Sequence, residues 1–168
     1  MGGAADFSRL FLLLYLSDLK HLAKYGSLIS GDTYIAMKYG PVPFHILSIY
    51  KQLKEHSTEK NEQGKQKLPI GINDAQQAIA LAPYDKDYLA ASEVECMFET
   101  LQQYKSVTTE ALCIHTMGQA WKGADINGEI KLEDMAEESG ATPEMIEYIK
   151  ICYNNELISF NDAHENLH

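Results

Sequence analysis

The sequence predicts a mainly α fold of the α+β class: a single-domain helical bundle that carries one small β-hairpin. Residues 6–24 hold apolar side chains on more than one helical stripe, which is typical of a central helix. Apolar residues alternate over 68–72 and again over 78–82, and Asn73-Asp74 lies between the two runs, as in a hairpin. A chain of 168 residues, 45% of them hydrophobic, is long enough for one sizeable core.

The first two helices are separated by a segment that no helix can cross. Asp6 is placed to cap the first helix, and Gly26 is placed to end it. Pro41 and Pro43 each push the preceding residue out of the α region, so residues 40–43 are expected to form a rigid elbow. We expect the second helix to open at Pro43, to run to about Leu53 and to pack on the first.

Start and stop signals predict four further helices. They are a third helix after a Ser92–Glu95 capping box, a shorter one capped by Thr108 or Thr109 and interrupted at Gly118, a short helix over Leu132–Ser139, and a last one from Thr142-Pro143 to about Glu156. Residues 57–67 have no large apolar side chain and are expected to form a mobile loop. The expected divisions are a disordered or vector-derived start over 1–6, a domain over 7–124, an acidic helical extension over 125–160 packed on the same domain, and a tail over 161–168.

The charge and the cysteines restrict the class of protein. Fourteen basic and 24 acidic residues give a formal charge of −10, which repels a phosphate backbone, so nucleic acid is not an expected partner. Three widely spaced cysteines form neither a metal motif nor a disulfide framework, and a reducing cytoplasm is the expected location. The longest apolar run, residues 10–16, is too short to span a membrane and lacks the flanks of a signal peptide.

No motif of catalysis or of metal binding is present in the sequence. The six histidines are scattered singly, and the His164–His168 pair lies in a polar tail. Cys113 and His115 are two apart, so on a helix they point to different faces. We therefore expect no catalytic residues, no metal and no cofactor, and we expect that the protein is not an enzyme.

Two stretches have the chemistry of a binding surface. Next to the proline elbow, Asp32, Tyr34, Tyr39 and Pro41 place aromatic and acidic groups on a stiff frame, although the same stretch could be only a loop that joins two helices. Between Glu129 and Glu147 there are seven acids and one base, which is typical either of a surface that steers a basic partner or of a solvated helix face. The sequence leaves both pairs of alternatives open.

An ordered set of residues resembles a known family. The set is Leu14-Tyr15-Leu16-Ser17-Asp18, His21-Leu22, Tyr25-Gly26, Ile29-Ser30-Gly31-Asp32, Tyr34, Ala36-Met37, Tyr39-Gly40-Pro41-Val42-Pro43 and Ile46, followed by Asp87-Tyr88-Leu89, Ser92-Glu93, His115 and Ala120-Trp121-Lys122. This string resembles the Panacea domain, also called the SocA-like antitoxin domain, a phage-associated family, over most of residues 7–124. The combination of GPVP with the upstream GDxYxAM is specific, whereas the helix patterns alone are not.

The resemblance implies a mostly helical domain that works by binding proteins. It implies an antitoxin that neutralises a cognate protein toxin, encoded by a neighbouring gene, or an adaptor that delivers a toxin to a protease. It also adds His115 and Trp121 to the candidate partner-binding residues. From a different class, a small hydrolase or nucleotide-handling enzyme could bring His115 together with Asp32 or Asp18. The sequence names neither the toxin nor the oligomeric state.

Overall fold

The first long helix carries most of the buried apolar residues of the N-terminal half. The computed structural model describes residues 4–58, 69–83 and 85–153. The helices are α1 Phe7–Tyr25, α2 Phe44–Thr58, α3 Ala91–Tyr104, α4 Thr109–Thr116, α5 Gln119–Gly123, α6 Leu132–Glu138 and α7 over residues 143–153, and a 3-10 turn covers Lys86–Tyr88. The strands are β1 Ala4–Ala5, β2 Tyr34–Met37, β3 Gly40–Pro43, β4 Ile70–Ile72, β5 Ala78–Ala80 and β6 Glu129–Ile130.

The stretch with two prolines is a strand of a sheet. β3 pairs antiparallel with β2, from Met37 opposite Gly40 to Tyr34 opposite Pro43, and β6 pairs with the other side of β2. The prolines do exclude a helix here, as predicted, and the expected elbow is one strand of a hairpin, a pairing that was not predicted. Proline is tolerated since β3 lies at the edge of its sheet, where a missing N–H donor costs least.

Gly40 lies where β3 passes close to two helices. Its φ is 118°, a region that residues with a side chain rarely adopt. A Cβ atom there would meet Leu12 Cδ2 of α1 at 2.9 Å and Thr116 Oγ1 of α4 at 3.0 Å. The glycine therefore allows the hairpin to contact α1 and α4 closely.

The predicted hairpin over residues 68–82 is confirmed and has a third strand. β4 and β5 pair antiparallel, and β1 adds to the outer side of β5. Ala4 and Ala5, which belong to the start that the sequence predicts to be disordered or vector-derived, are paired with β5. The predicted mobile loop over 57–67 lies outside the described residues, apart from the two that end α2, and α2 is five residues longer than predicted.

Most helix boundaries follow the predicted signals, with one exception. Gly26 ends α1 with φ 76°, and Thr108 and Thr142 accept from the N–H groups of Ala111 and Met145, both at 3.3 Å. The capping box at Ser92 is wrong. α3 begins at Ala91, and its start is closed by the Glu93 carboxylate, which accepts from the Ala90 N–H at 2.7 Å.

The segment after residue 125 contributes to the same core as α1 and β2. Ile130, Met135, Ala136 and Ile149 pack with Tyr15, Leu22, Tyr34, Ala36 and Ala120. A second cluster joins α1 to α4 through Leu112, and a third joins Phe7 and Phe11 of α1 to α2, which confirms that the first two helices pack together. The predicted fold class, mainly α with small β elements, is confirmed.

Gly40→Ala is expected to lower the free energy of unfolding by about 2–4 kcal/mol, because it adds backbone strain and a clash with α1 and α4. Chemical denaturation measures the loss. Gly31→Ala is the matched control, since Gly31 also has a positive φ of 58° but has no neighbour within 4 Å, and it should cost about 1 kcal/mol. Equal losses of unfolding free energy in the two variants would contradict the close approach of β3 to α1 and α4.

Candidate partner-binding site

Asp18 holds the loop that leads from α1 to the β2–β3 hairpin. Its Oδ1 accepts from the N–H groups of Ile29 at 2.7 Å and Ser30 at 3.0 Å, and its Oδ2 accepts from the hydroxyls of Ser30 and Tyr34. The side chain is fully buried, and this burial raises the pKa of Asp18 while the hydrogen bonds oppose the rise. The four hydrogen bonds offset the cost of burying the carboxylate.

The Asp32 carboxylate caps α2, although Asp32 lies twelve residues before Phe44, the first residue of that helix. Its Oδ1 accepts from the His45 N–H at 3.0 Å and its Oδ2 accepts from the Ile46 N–H at 3.1 Å. The His45 ring, which is largely exposed, places Nδ1 2.8 Å from the same Oδ1. Val42 and Pro43, the residues directly before α2, have no side-chain acceptor, so the carboxylate must come from elsewhere. Asp32 was predicted as a contact residue, but it is buried and its oxygens satisfy backbone donors.

Tyr34 is a core residue and not a contact residue. Only 1% of it is exposed, its ring packs edge-on against Tyr15 with 5.0 Å between centroids, and its hydroxyl donates to Asp18 at 2.7 Å. Burial, together with the nearby charge of Asp18, raises the pKa of the Tyr34 phenol. The prediction that a partner contacts Tyr34 is therefore corrected, since its side chain lies beneath the surface of the folded chain.

Tyr39 is presented to solvent at the tip of the hairpin. It is 68% exposed and lies in the turn between β2 and β3, where Lys38 Nζ is 5.1 Å from its ring centroid. Trp121 stabilises this turn, because its Nε1–H donates to the Met37 carbonyl at 3.0 Å. Trp121, another predicted contact residue, is partly buried against the core and holds the turn in place.

An apolar groove of about 430 Å³ runs beside the Tyr39 turn. Tyr39 and Pro41 line it together with Phe7, Phe11, Leu12, Met37, Val42, Leu47 and Tyr50, and the polar residues along it are Asp6, Ser8 and Gln76. Phe7 and Tyr50 stack at its wall with 4.3 Å between ring centroids. Of the six predicted contact residues, Tyr39 and Pro41 are thus the two that this groove brings together, with Pro41 buried in its floor.

The remaining predicted features lie elsewhere on the surface. His115 is exposed on α4, and its Nε2 is 2.7 Å from the Tyr104 hydroxyl oxygen of α3. In the acidic stretch, Glu138 turns inward: its Oε2 accepts from the Ala120 N–H at 2.7 Å and its Oε1 accepts from the Tyr15 hydroxyl at 3.1 Å. Burial and the Glu138 charge raise the pKa of Tyr15. Glu129, Glu137, Glu144 and Glu147 remain exposed.

The described ranges contain neither a cluster of metal ligands nor a membrane-spanning helix. Within residues 4–58, 69–83 and 85–153, no three His, Cys, Asp or Glu side chains come together as metal ligands. The His164–His168 pair falls outside those ranges. In the same part of the chain, none of the helices has the length and apolar character needed to cross a membrane.

Residues 10–122 match the family described as "Antitoxin SocA-like, Panacea domain". This span covers more than half of the chain and includes Asp18, Asp32 and the β2–β3 hairpin. The chain belongs to the SocA-like antitoxin, Panacea domain family. No curated protein and no solved structure matches the chain.

Several groups that build the site of this Panacea domain were missed from the sequence. Asp32 caps α2, which begins twelve residues further along the chain. The one sequence signal for this role is that neither Val42 nor Pro43 has a side chain that could cap α2. The groove wall was missed because Phe7, Phe11 and Tyr50 have the spacing of ordinary core residues. β6 was missed because a two-residue strand has no periodicity to detect.

Asp32→Ala is expected to lower the free energy of unfolding by about 2–4 kcal/mol, because it leaves the first N–H groups of α2 without an acceptor. The measurement is denaturant unfolding followed by circular dichroism. Asp6→Ala is the matched control: Asp6 stands at the N-cap of α1 but makes no capping hydrogen bond, so its loss should cost less than about 0.5 kcal/mol. If Asp32→Ala lowered the free energy of unfolding no more than Asp6→Ala does, the cap by Asp32 would not contribute to stability.

Proposed function

We propose that this chain is an antitoxin that binds a cognate protein toxin and neutralises it, and that the toxin is encoded by a neighbouring gene. The observation that carries the proposal is the exposed Tyr39 beside an apolar groove, in a chain whose family is described as antitoxin SocA-like. Large apolar grooves with an aromatic rim are typical of protein–protein contact.

The rigidity of the hairpin supports a role in binding. Trp121 holds the Met37 carbonyl, the Asp32 carboxylate holds the start of α2, and Gly40 allows β3 to pack on α1 and α4. A surface that is already ordered loses little conformational entropy when a partner binds. Tyrosine is also a residue type that often dominates binding free energy, since it offers a large contact area with few rotatable bonds.

Electrostatics favours a basic protein partner. A net charge of −10 raises the rate of association with a cationic protein and disfavours nucleic acid. The exposed acids of the 129–147 stretch add to this field. We further propose that the protein acts in the cytoplasm.

We propose that the protein acts by binding and not by catalysis. The Asp18 and Asp32 carboxylates, which a hydrolase would need free, accept hydrogen bonds from backbone and hydroxyl donors that the fold requires. The His115 ring, the proposed partner of either acid, contacts Tyr104. These contacts favour structural roles for the three side chains.

A proteolytic adaptor is the second candidate, favoured by a second exposed apolar surface. Phe98 and Leu101 of α3 are solvent-exposed and line a second groove with Leu13 and Val107, and none of these four residues lines the Tyr39 groove. Two separate surfaces would suit a protein that holds a toxin and a protease together. The half-life of the toxin in cells distinguishes the candidates: an adaptor shortens it, whereas an antitoxin that only blocks the toxin leaves it unchanged or longer.

Co-expression with the neighbouring open reading frame tests the proposed function. We expect the neighbouring product to arrest growth alone, to be harmless beside this chain, and to copurify with it. A neighbour that is harmless alone, or equally toxic in both cases, would rule out the antitoxin role for that pair.

Tyr39→Ala is expected to weaken binding of the neighbouring product by about tenfold or more, with little change in melting temperature, because the side chain is exposed and unsupported by the core. Calorimetric titration and thermal unfolding measure the two quantities. Tyr88→Ala is the matched control: Tyr88 is 85% exposed and does not line the groove, so affinity should be unchanged. Tyr34→Ala should instead destabilise the fold by about 3–5 kcal/mol. Equal binding by the Tyr39 and Tyr88 variants would exclude this hairpin as the contact.

A further inference from the structure

The outer face of α3 presents an apolar seam to solvent. The inner face of the helix is buried at Cys96 and Thr100. On the opposite face, Val94, Phe98 and Leu101 follow the alternating spacing of four and three residues that is typical of helices that pack side by side. Phe98 is 60% exposed and Leu101 is 39% exposed, although both side chains are large and apolar. The seam therefore has the pattern of a surface that contacts another helix.

A preformed groove of about 530 Å³ lies beside this seam. Its lining includes Phe98 and Leu101 of α3, Leu13 of α1, and Val107 in the segment that follows α3. Arg9 of α1 donates from Nη1 to the Val107 carbonyl at 2.6 Å, which holds that segment against α1. One surface thus carries both a projecting aromatic side chain and a groove, which we call the Phe98 groove, that can accommodate such a side chain.

The two ends of the seam carry opposite charges. Glu95 lies beside the seam in the first half of α3, and Lys105 directly follows the last residue of the helix. Both side chains are exposed. Among the described residues neither forms an ion pair, and Lys105 Nζ donates to the amide oxygen of Gln102 at 3.4 Å.

The neighbouring charges are already engaged. Glu99 pairs with Lys20 at 3.3 Å and with Lys24 at 3.1 Å, on the α1 side of the helix. Arg9 donates to backbone carbonyls after α3, and the Glu110 carboxylate is hydrogen-bonded at the start of α4. The ends of the seam therefore keep one negative and one positive side chain for a partner.

A second copy of the chain complements this surface. A twofold axis sets two α3 helices antiparallel, and every contact then occurs twice because the same patch serves both molecules. An axis midway between Phe98 and Leu101 places Phe98 of each copy opposite Leu101 of the other. The same axis brings Lys105 of each copy to within about one residue, or 1.5 Å along the helix, of Glu95 of the other. A parallel arrangement would instead place like charges together.

We propose that the chain forms a reversible homodimer through α3, in which Phe98 of each copy packs beside Leu101 in the Phe98 groove of the other, and Glu95 pairs with Lys105 across the twofold axis. The inference is independent of the proposed function, because it needs no toxin. The Phe98 groove and the Tyr39 groove share no lining residue, so each copy keeps its Tyr39 groove for a partner.

The length of the helix limits the strength of this dimer. α3 has 14 residues. It is therefore about 21 Å long, and two such helices bury an area at the small end of protein interfaces. We therefore expect a dissociation constant of about 10–100 µM, and an equilibrium between monomer and dimer that depends on protein concentration.

Sedimentation equilibrium of the whole chain, from about 1 to 500 µM, measures this dissociation constant. The variants are Phe98→Ala, Glu95→Lys and Lys105→Glu, together with an equimolar mixture of the two charge variants. Ile114→Ala is the matched control, because Ile114 is an apolar residue of α4 that is 76% exposed and does not line the Phe98 groove. Circular dichroism of each variant verifies that it melts as the wild type does.

We expect Phe98→Ala to weaken the dimer by about tenfold or more and Ile114→Ala to leave it unchanged. Glu95→Lys and Lys105→Glu should each weaken it, because each places like charges across the axis. The mixture should dimerise about tenfold more tightly than either charge variant alone, since one copy then supplies two lysines and the other two glutamates.

Three results would overturn the proposal. The first is a wild-type chain that stays monomeric over the whole concentration range, and the second is a dimer that Phe98→Ala leaves unchanged. The third is a mixture that forms no more dimer than each charge variant alone, which would exclude the antiparallel pairing. If the chain is monomeric and Phe98→Ala lengthens the half-life of the toxin in cells, the Phe98 groove contacts a protease, and the adaptor replaces the homodimer as the explanation of this surface.

Discussion

The Asp32 carboxylate at the start of α2 is the interaction on which the candidate site depends. β3 ends in Val42-Pro43, so the helix that follows has no local residue to accept from its first N–H groups. Asp32 supplies both oxygens from the loop before β2, and the Thr33 carbonyl accepts from the Phe44 N–H at 2.9 Å. These bonds tie the two ends of the hairpin together. The hairpin tip with Tyr39 and the groove beside it are therefore fixed relative to α1 and α2.

Two other inward-facing acids, the buried Asp18 and the half-buried Glu138, repeat this arrangement elsewhere in the chain. Asp18 accepts from the loop at Ile29 and Ser30, and Glu138 accepts from the start of α5 at Ala120. Burying a carboxylate is costly unless its oxygens are hydrogen-bonded, and each of these has at least two partners. Part of the acidic character of the chain is thus structural, while Asp6 and four acids of the 129–147 stretch are exposed to solvent.

Local signals predicted the local elements. α1 and its Gly26 end, the β4–β5 hairpin, the Thr108 cap and the Thr142 start follow from short-range chemistry that a single sequence contains. The β2–β3 hairpin was not predicted because two prolines in a short segment are untypical of a strand. β6 was not predicted because its pairing with β2 joins residues almost a hundred positions apart. Of the predicted contact residues, Tyr39 and Pro41 line the groove, whereas the burial of Tyr34 and Asp32 and the partial burial of Trp121 depend on long-range packing. Tertiary contacts decide which face a tyrosine presents, and no periodicity in this stretch reveals it.

Hydrogen exchange of the chain, alone and saturated with the neighbouring gene product, tests the central claim most directly. The account predicts that protection increases in three segments that border the groove, namely the first turns of α1, the Met37–Gly40 turn and the Asn73–Gln77 turn. Exchange on α3 and α4 should change little. Protection confined to α3 and α4, with the Tyr39 turn unaffected, would contradict the account.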